Sequence, residues 1–240
     1  MAAYRNKRLA ELRKKLEAAS DAKHADFHKE YHKSTKKFYG LRSAALVEAF
    51  TEVFPKKEPL PKEDALKFIA ELWQSEWFEE QAAAILLLER IAKQLTPKDL
   101  SVIKTIADGC EGWAMLDFLA TKPLGVLALV YGDDIYSKVS AWSKSKHLWT
   151  RRASILIHVL PARKKQLRVD IALPTFEKLL HEKEFFIRKA IGWTLREISK
   201  HYPEVTFEFL KEHKGKTSGL TLREGGRNLP EEYRKVLGIK

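Results

Sequence analysis

The sequence predicts an all-α fold: a HEAT-like solenoid of repeated helix pairs, an α-α superhelix with a concave basic face. Three observations carry this. Apolar residues recur at i, i+3, i+4 and i+7 in "LAELRKKLEAA", "ALKFIAELW", "ALPTFEKLL" and "FIRKAIGWTLREISKHY", the spacing of an amphipathic helix. Strand-like alternation is almost absent. Similar segments also return at a nearly fixed period.

That period appears when "QAAAILLLE" from Gln81, "DFLATKPLG" from Asp117, "RASILIHVL" from Arg152, "KAIGWTLRE" from Lys189 and "REGGRNL" from Arg223 are superposed. They return roughly every 36 residues, a period that fits stacked helix pairs. A looser copy, "RSAALVEAF", begins at Arg42, one slightly longer interval before Gln81. Equivalent positions of a solenoid form a stripe, here Arg42, Gln81, Asp117, Arg152, Lys189 and Arg223, expected along one concave side.

Along the chain, "MAAYRNKRLAELRKKLEAA" opens an N-terminal helix over 1–30, and the repeats occupy 31–240 in one domain. It is charged and lacks an apolar segment, so it does not resemble a secretory signal. "FPKKEPLPKED" at 54–64 is the most linker-like stretch. The longest apolar run, "AAAILLL" at 82–88, is too short to cross a bilayer. "LTPKDL" reads as a helix start with Thr96 as N-cap and Pro97 at N1, and Asp108-Gly109 as a helix end. Pro55, Pro59, Pro61, Pro97, Pro161, Pro174 and Pro203 are expected at breaks.

Composition narrows the function. Of 240 residues, 45% are apolar and 32% charged, enough for a sizeable core. Lysine and arginine number 44 against 32 acidic residues, a net charge of +12. That excess points to an anionic partner, first of all nucleic acid; no helix has the basic, broadly apolar form that suits a membrane surface. The single cysteine, Cys110, excludes a disulfide framework and reads as a small buried hydrophobe in a reducing, cytoplasmic compartment. His24, His28 and His32 fall four apart, but nothing completes a metal site, so they read as solvated and neither metal nor cofactor is expected.

One carboxylate stands out. In "CEGWAMLDFLA", Asp117 follows Trp113 by four residues and shares its helical face. Lys189 and Trp193 are spaced likewise, and Arg152 lies on the repeat between. An aspartate within a basic stripe costs affinity for an anion, which suggests chemistry. Cleaving a glycosidic bond builds positive charge on the sugar. A carboxylate stabilises that charge or orients water, indole faces favour cations, and basic side chains hold phosphates. The plainer readings are a salt bridge or cap for Asp117 and core packing for Trp113 and Trp193.

The segments "YHKSTKKFYGLR", "GWAMLDFLA", "LWTRRASIL", "KEFFIRKAIGWTLRE" and "LREGGRNL" resemble, in order, the bacterial AlkD-type DNA alkylation repair glycosylases. The resemblance spans most of residues 30–230, and "EFFIRKAIGWTLRE" is its most specific motif. It implies a fold of HEAT-like helix pairs and base excision repair of N3- and N7-alkylated purines such as 7-methylguanine and 3-methyladenine, without flipping the base out of the duplex. It also implies that Trp113, Asp117, Arg152 and Trp193 line the catalytic cleft. Lys36, Lys37, Arg42, Arg151, Arg188, Lys189 and Arg223 are the cations expected on DNA. "EGG" at 224–226 departs from the alanine-rich turn of the family. The implied partner is double-stranded DNA with alkylated purines, bound by a monomer associated with the bacterial nucleoid, with no membrane. The competing readings are a non-catalytic HEAT-repeat protein binding branched or damaged DNA, and a scaffold for an acidic protein.

Overall fold

The computed structural model describes residues 2–239 and, among them, helices and turns with one isolated bridge, Lys37 to Trp77, and no strand. Six residues in extended backbone set the plan. Arg42, Trp77, Gly112, His147, Glu184 and Ser218 are the N-caps of α3 (Ser43–Val53), α5 (Phe78–Arg90), α7 (Trp113–Leu119), α10 (Leu148–Leu156), α13 (Phe185–Ser199) and α15 (Gly219–Gly226). These caps recur about every 35 residues, the spacing of one helix pair. The helices that precede them are α2 (Ala22–His32), α4 (Lys62–Trp73), α6 (Leu100–Gly109), α9 (Asp133–Ser140), α12 (Val169–Glu177) and α14 (Pro203–Glu212). The flanks are α1 (Ala2–Ala18) and α16 (Glu231–Leu237), and α8 (Gly125–Tyr131) and α11 (Val159–Arg163) extend α7 and α10.

The helix pairs fall into two compact units, 1–95 and 96–240. In the first, α1 buries Leu9, Leu12 and Leu16, and the core continues through Phe68, Leu72, Ile85 and Leu88. Where one N-terminal helix was expected over 1–30, two form. The chain turns at Asp21, whose side chain accepts the His24 N–H and caps α2. Buried Glu79 accepts the N–H groups of Tyr39, Gly40 and Leu41 at 3.0, 2.8 and 3.1 Å. Gly40 is obligatory there, because φ is +84° and a Cβ would lie 2.1 Å from the Asp21 carbonyl. The linker-like stretch 54–64 is tied down inside this unit: the Arg90 guanidinium binds the carbonyls of Phe54, Pro55 and Glu58. These carbonyls thus gain a charged donor that the composition of the stretch does not reveal.

In the second unit Thr96 N–H and Oγ1 both reach Asp99 Oδ2, at 2.8 and 2.9 Å, with Pro97 at N1, so the expected helix start forms. Asp108-Gly109 ends α6, and Cys110 is buried beyond it. Not every proline breaks a helix. Pro161 and Pro174 lie inside α11 and α12; Pro161 sits in a first turn, where no partner for its N–H is needed. Pro123 lies in a π-helical turn, Ala120–Leu124, that joins α7 to α8 without interruption. The wider turn accommodates a residue that cannot donate to the helix ladder. The resulting helix, Trp113–Tyr131, is long and apolar enough to span a membrane, with mean hydropathy 1.5, although no single apolar run in the sequence is. It is a core helix here: Leu116, Leu119, Leu124 and Leu127 are fully buried.

Helices α13 and α15 cross closely at glycines. A Cβ on Gly192 would lie 2.6 Å from Glu224 Cβ, and one on Gly225 would lie 3.1 Å from Leu195 Cβ. The crossing accounts for Gly225 of the "EGG" in α15, whereas a Cβ on Gly226 would instead lie 2.3 Å from Ile239 Cδ1. Gly192→Ala is expected to lower stability by about 1–3 kcal/mol by overpacking, although alanine favours a helix by about 1 kcal/mol. A rise in the urea midpoint would contradict the close crossing.

His158 is fully buried between Tyr136, stacked at 5.1 Å, and Phe176, edge-on at 5.6 Å. Burial pushes its pKa down to about 3. The unfolded chain therefore binds a proton that the folded one refuses between the ordinary value of about 6.5 and about 3. Stability present above about pH 6.5 is lost as pH falls through that window, by up to about 1.4 kcal/mol per pH unit. Denaturation of wild type and His158→Phe between pH 4 and 7 should show a shallower pH dependence in the variant; equal slopes would remove His158 as the cause.

Candidate active site

Four of the six stripe residues share one structural register. Asp117, Arg152, Lys189 and Arg223 are each the fifth residue after the N-cap of α7, α10, α13 and α15. Gln81 is the fourth after its cap, and Arg42 is itself a cap. The six do not form an exposed stripe. Gln81 is buried and donates to the Trp73 and Ser75 carbonyls. Its true equivalents are Arg151 and Arg188, which fold back in the same way. Arg151 Nη1 reaches Ser145 O at 2.9 Å, and Arg188 Nε reaches Glu182 O at 2.9 Å, each six residues earlier. A side chain four residues into a helix thus fastens the turn that leads into it.

Asp117 and Arg152 meet directly. Arg152 Nε donates to Asp117 Oδ1 at 2.7 Å and Nη2 to Oδ2 at 2.9 Å, a two-point fork. The remaining nitrogen, Nη1, donates to the Phe186 carbonyl on α13, and the guanidinium lies 5.9 Å from the Phe186 ring centroid. The arginine side chain is 4% exposed and the aspartate side chain 16%. Burial pushes the Asp117 carboxyl above the ordinary carboxylate range; the Arg152 hydrogen bonds and charge pull it back without offsetting burial. Its main chain is fixed as well, since the Asp117 carbonyl accepts Thr121 Oγ1–H at 2.6 Å. Nearby Cys110 is held as a neutral thiol, its pKa pushed up by burial and then by the Asp117 and Asp108 charges.

The two indoles are placed differently. Trp113 is the first residue of α7, half-buried, one turn before Asp117. Trp193 is half-buried on α13, and among the described residues no hydrogen bond or ring contact joins it to Asp117 or Arg152. Its neighbours on that face, Lys189 and Arg196, share one carboxylate: Glu224 accepts from Lys189 Nζ at 2.8 Å and from Arg196 Nη1 at 2.7 Å.

The expected DNA cations are thus in several states. Arg223 is exposed. Arg42 Nη2 lies 3.3 Å from His24 Nε2, Lys37 Nζ pairs with Glu76 at 2.8 Å, and Lys36 is half-buried. Arg151 is also paired with Glu182 at 2.7 Å. Phe186, Thr121 and Glu224 are site neighbours not foreseen from the sequence. The repeat was the available signal for two of them, since Phe186 follows Arg152, and Glu224 follows Lys189, by about one period. Among the described residues no group of three or more His, Cys, Asp or Glu could hold a metal ion.

The fork makes a stability prediction. Asp117→Ala strands a buried guanidinium, and losing one partner of such a pair costs about 3–5 kcal/mol. Asp117→Asn keeps one acceptor and should cost less. Urea denaturation checks both, and Asp117→Ala matching wild type would show that the fork carries no stability. Because the Asp117 pKa is raised, its own stabilising share is present below the ordinary carboxylate pKa and is lost as pH rises through the raised one.

Comparisons with known proteins agree with this architecture. A predicted DNA alkylation repair enzyme from Enterococcus faecalis superposes with a TM-score of 0.78 at 22% identity, covering 88% of this chain and 97% of its own. AlkD2 from Streptococcus mutans gives 0.58 at 19% identity, covering 77% and 90%. The smu.31 structure from Streptococcus mutans UA159 gives 0.60 at 17% identity, covering 86% and 98%. The fold is thus the helical-repeat fold of these proteins. No curated protein sequence matches the chain. The family model described as DNA alkylation repair enzyme matches residues 12–229, and the chain belongs to that family, whose substrate is DNA.

Proposed function

We propose that the protein is a DNA N-glycosylase that releases cationic N3- and N7-alkylated purines from duplex DNA in base excision repair, as a cytoplasmic monomer. The observation that carries this reading is the Asp117 carboxylate. It is mostly buried, oriented at both oxygens by Arg152, and one turn from the half-buried Trp113. Cleavage breaks the bond from C1′ to the purine nitrogen. The electron pair leaves with the base and cancels its positive charge, while positive charge grows on the deoxyribose. A fixed anion beside that sugar stabilises the transition state without reorganising. Water then adds to C1′ and loses a proton. Arg152 fixes the angle of the carboxylate and favours its anionic form. Trp113 and Trp193 offer indole faces to the cationic nucleotide. Lys36, Lys37, Arg42, Lys189 and Arg223 are the cations assigned to phosphates in this reading, while Arg151 and Arg188, expected there from the sequence, fasten their own turns instead. With so little of Asp117 exposed, the reading includes, as the family resemblance implies, attack on a base left in the stack.

A second reading has one observation in its favour. In the DNA-free protein both Asp117 oxygens are already taken by Arg152, as in a purely structural ion pair. That arrangement would serve a non-catalytic protein that binds damaged or branched DNA.

Release of 7-methylguanine from methylated duplex DNA separates the two. Under single-turnover conditions wild type should release the base, and Asp117→Asn, confirmed folded, should be slower by about a hundredfold, the usual value of a preorganised charge. Substrates with neutral lesions should react poorly. Binding without release by wild type would establish the second reading.

A further inference from the structure

A basic cleft lies apart from the Asp117 pair, between the turns that lead into α10 and α13. It has a volume of about 470 Å³ and is lined by Lys144, Ser145, Lys146, Arg151, Lys178 and Glu182, among others. Lys144 and Lys178 lie close to one repeat apart, so each comes from the corresponding turn of its pair. The one carboxylate of the lining is already neutralised, since Glu182 Oε1 pairs with Arg151 Nε at 2.7 Å. Arg151 also clamps the Ser145 and Lys146 carbonyls at 2.9 and 3.0 Å. The arginine thereby shapes the wall of the cleft instead of reaching out of it.

Lys144, Lys146 and Lys178 then line the cleft with no carboxylate partner among the described residues. Ser145 Oγ accepts the His147 N–H at 3.1 Å, which leaves its hydroxyl proton for another acceptor. The net charge of the chain does not by itself produce such a lining. A cavity of similar size in the same unit, about 480 Å³, is lined by Glu177, Glu204, Glu208 and Glu212. One cavity of this unit is thus lined mainly by cations and the other mainly by carboxylates.

We infer that this cleft is a phosphate-binding site. Three unpaired cations and a hydroxyl donor around one opening match the oxygens of a phosphate group. The phosphate comes either from the DNA backbone, which rests on the reading of this protein as a DNA-binding enzyme, or from free phosphate.

The test uses the full chain with Lys144, Lys146 and Lys178 all changed to Gln. A control carries the same charge loss at exposed positions of the same unit: Lys98, Lys138 and Lys216 changed to Gln. Affinity for an undamaged 16-base-pair duplex is measured by fluorescence anisotropy against NaCl concentration, and inorganic phosphate binding by calorimetry in chloride buffer. Circular dichroism checks folding, and Lys178→Gln alone serves if the triple variant is unstable.

With backbone phosphate as the ligand, the triple variant loses about tenfold or more in duplex affinity at moderate salt. Its slope of log K against log salt falls by about 0.9 for each contact removed, while the control changes far less. With free phosphate as the ligand, wild type binds inorganic phosphate, the triple variant does not, and duplex affinity matches the control. The inference is overturned if the triple variant and control lose duplex affinity equally and inorganic phosphate does not bind wild type. Failure of wild type to release 7-methylguanine, with the duplex result intact, would remove the glycosylase reading and leave the cleft.

Discussion

The site depends on one buried ion pair between neighbouring repeats. Asp117 on α7 and Arg152 on α10 hold each other by two hydrogen bonds, and Arg152 spends its remaining nitrogen on the Phe186 carbonyl of α13. Three successive repeats are thus fixed by a single guanidinium. Removing two charges from water is expensive, and a buried pair often contributes less stability than apolar residues would. In the proposed reading a carboxylate is kept in that setting, with its pKa raised by burial, for the chemistry it performs. When both groups are ionised, the pair itself carries no net charge.

The fold was legible because each repeat begins its second helix at a nearly constant interval. Superposing apolar segments found the period, and it placed Asp117, Arg152, Lys189 and Arg223 correctly, five residues beyond their caps. The register slipped by one at Gln81, since a glutamine and an arginine perform the same task there by different chemistry. Both fasten the preceding turn through a carbonyl six residues back. Pro161 and Pro174, expected at breaks, lie inside helices, because whether a proline ends a helix depends on its place in the helix and on whether its neighbours can hold it.

The candidate site residues were legible in part. Helical spacing put Trp113 beside Asp117, and the repeat put Arg152 one period later. That Arg152 would be consumed by Asp117 is a tertiary fact with no trace in composition. So is the sharing of Glu224 by Lys189 and Arg196. Counting cations therefore overstated the free basic surface around α10 and α13. It also missed Lys144 and Lys178, which lie in turns, where neither apolar period nor motif reports.

The central claim is that ionised Asp117 performs the chemistry. The most direct measurement is the pH dependence of single-turnover 7-methylguanine release at subsaturating protein, corrected for spontaneous loss and confined to conditions where the protein is folded. The rate should rise with pH along one limb whose midpoint lies above the ordinary carboxylate value, as burial of Asp117 dictates. That limb should disappear in Asp117→Asn. A wild-type rate that does not change with pH across the acid range, or a limb that survives in the variant, would contradict the account.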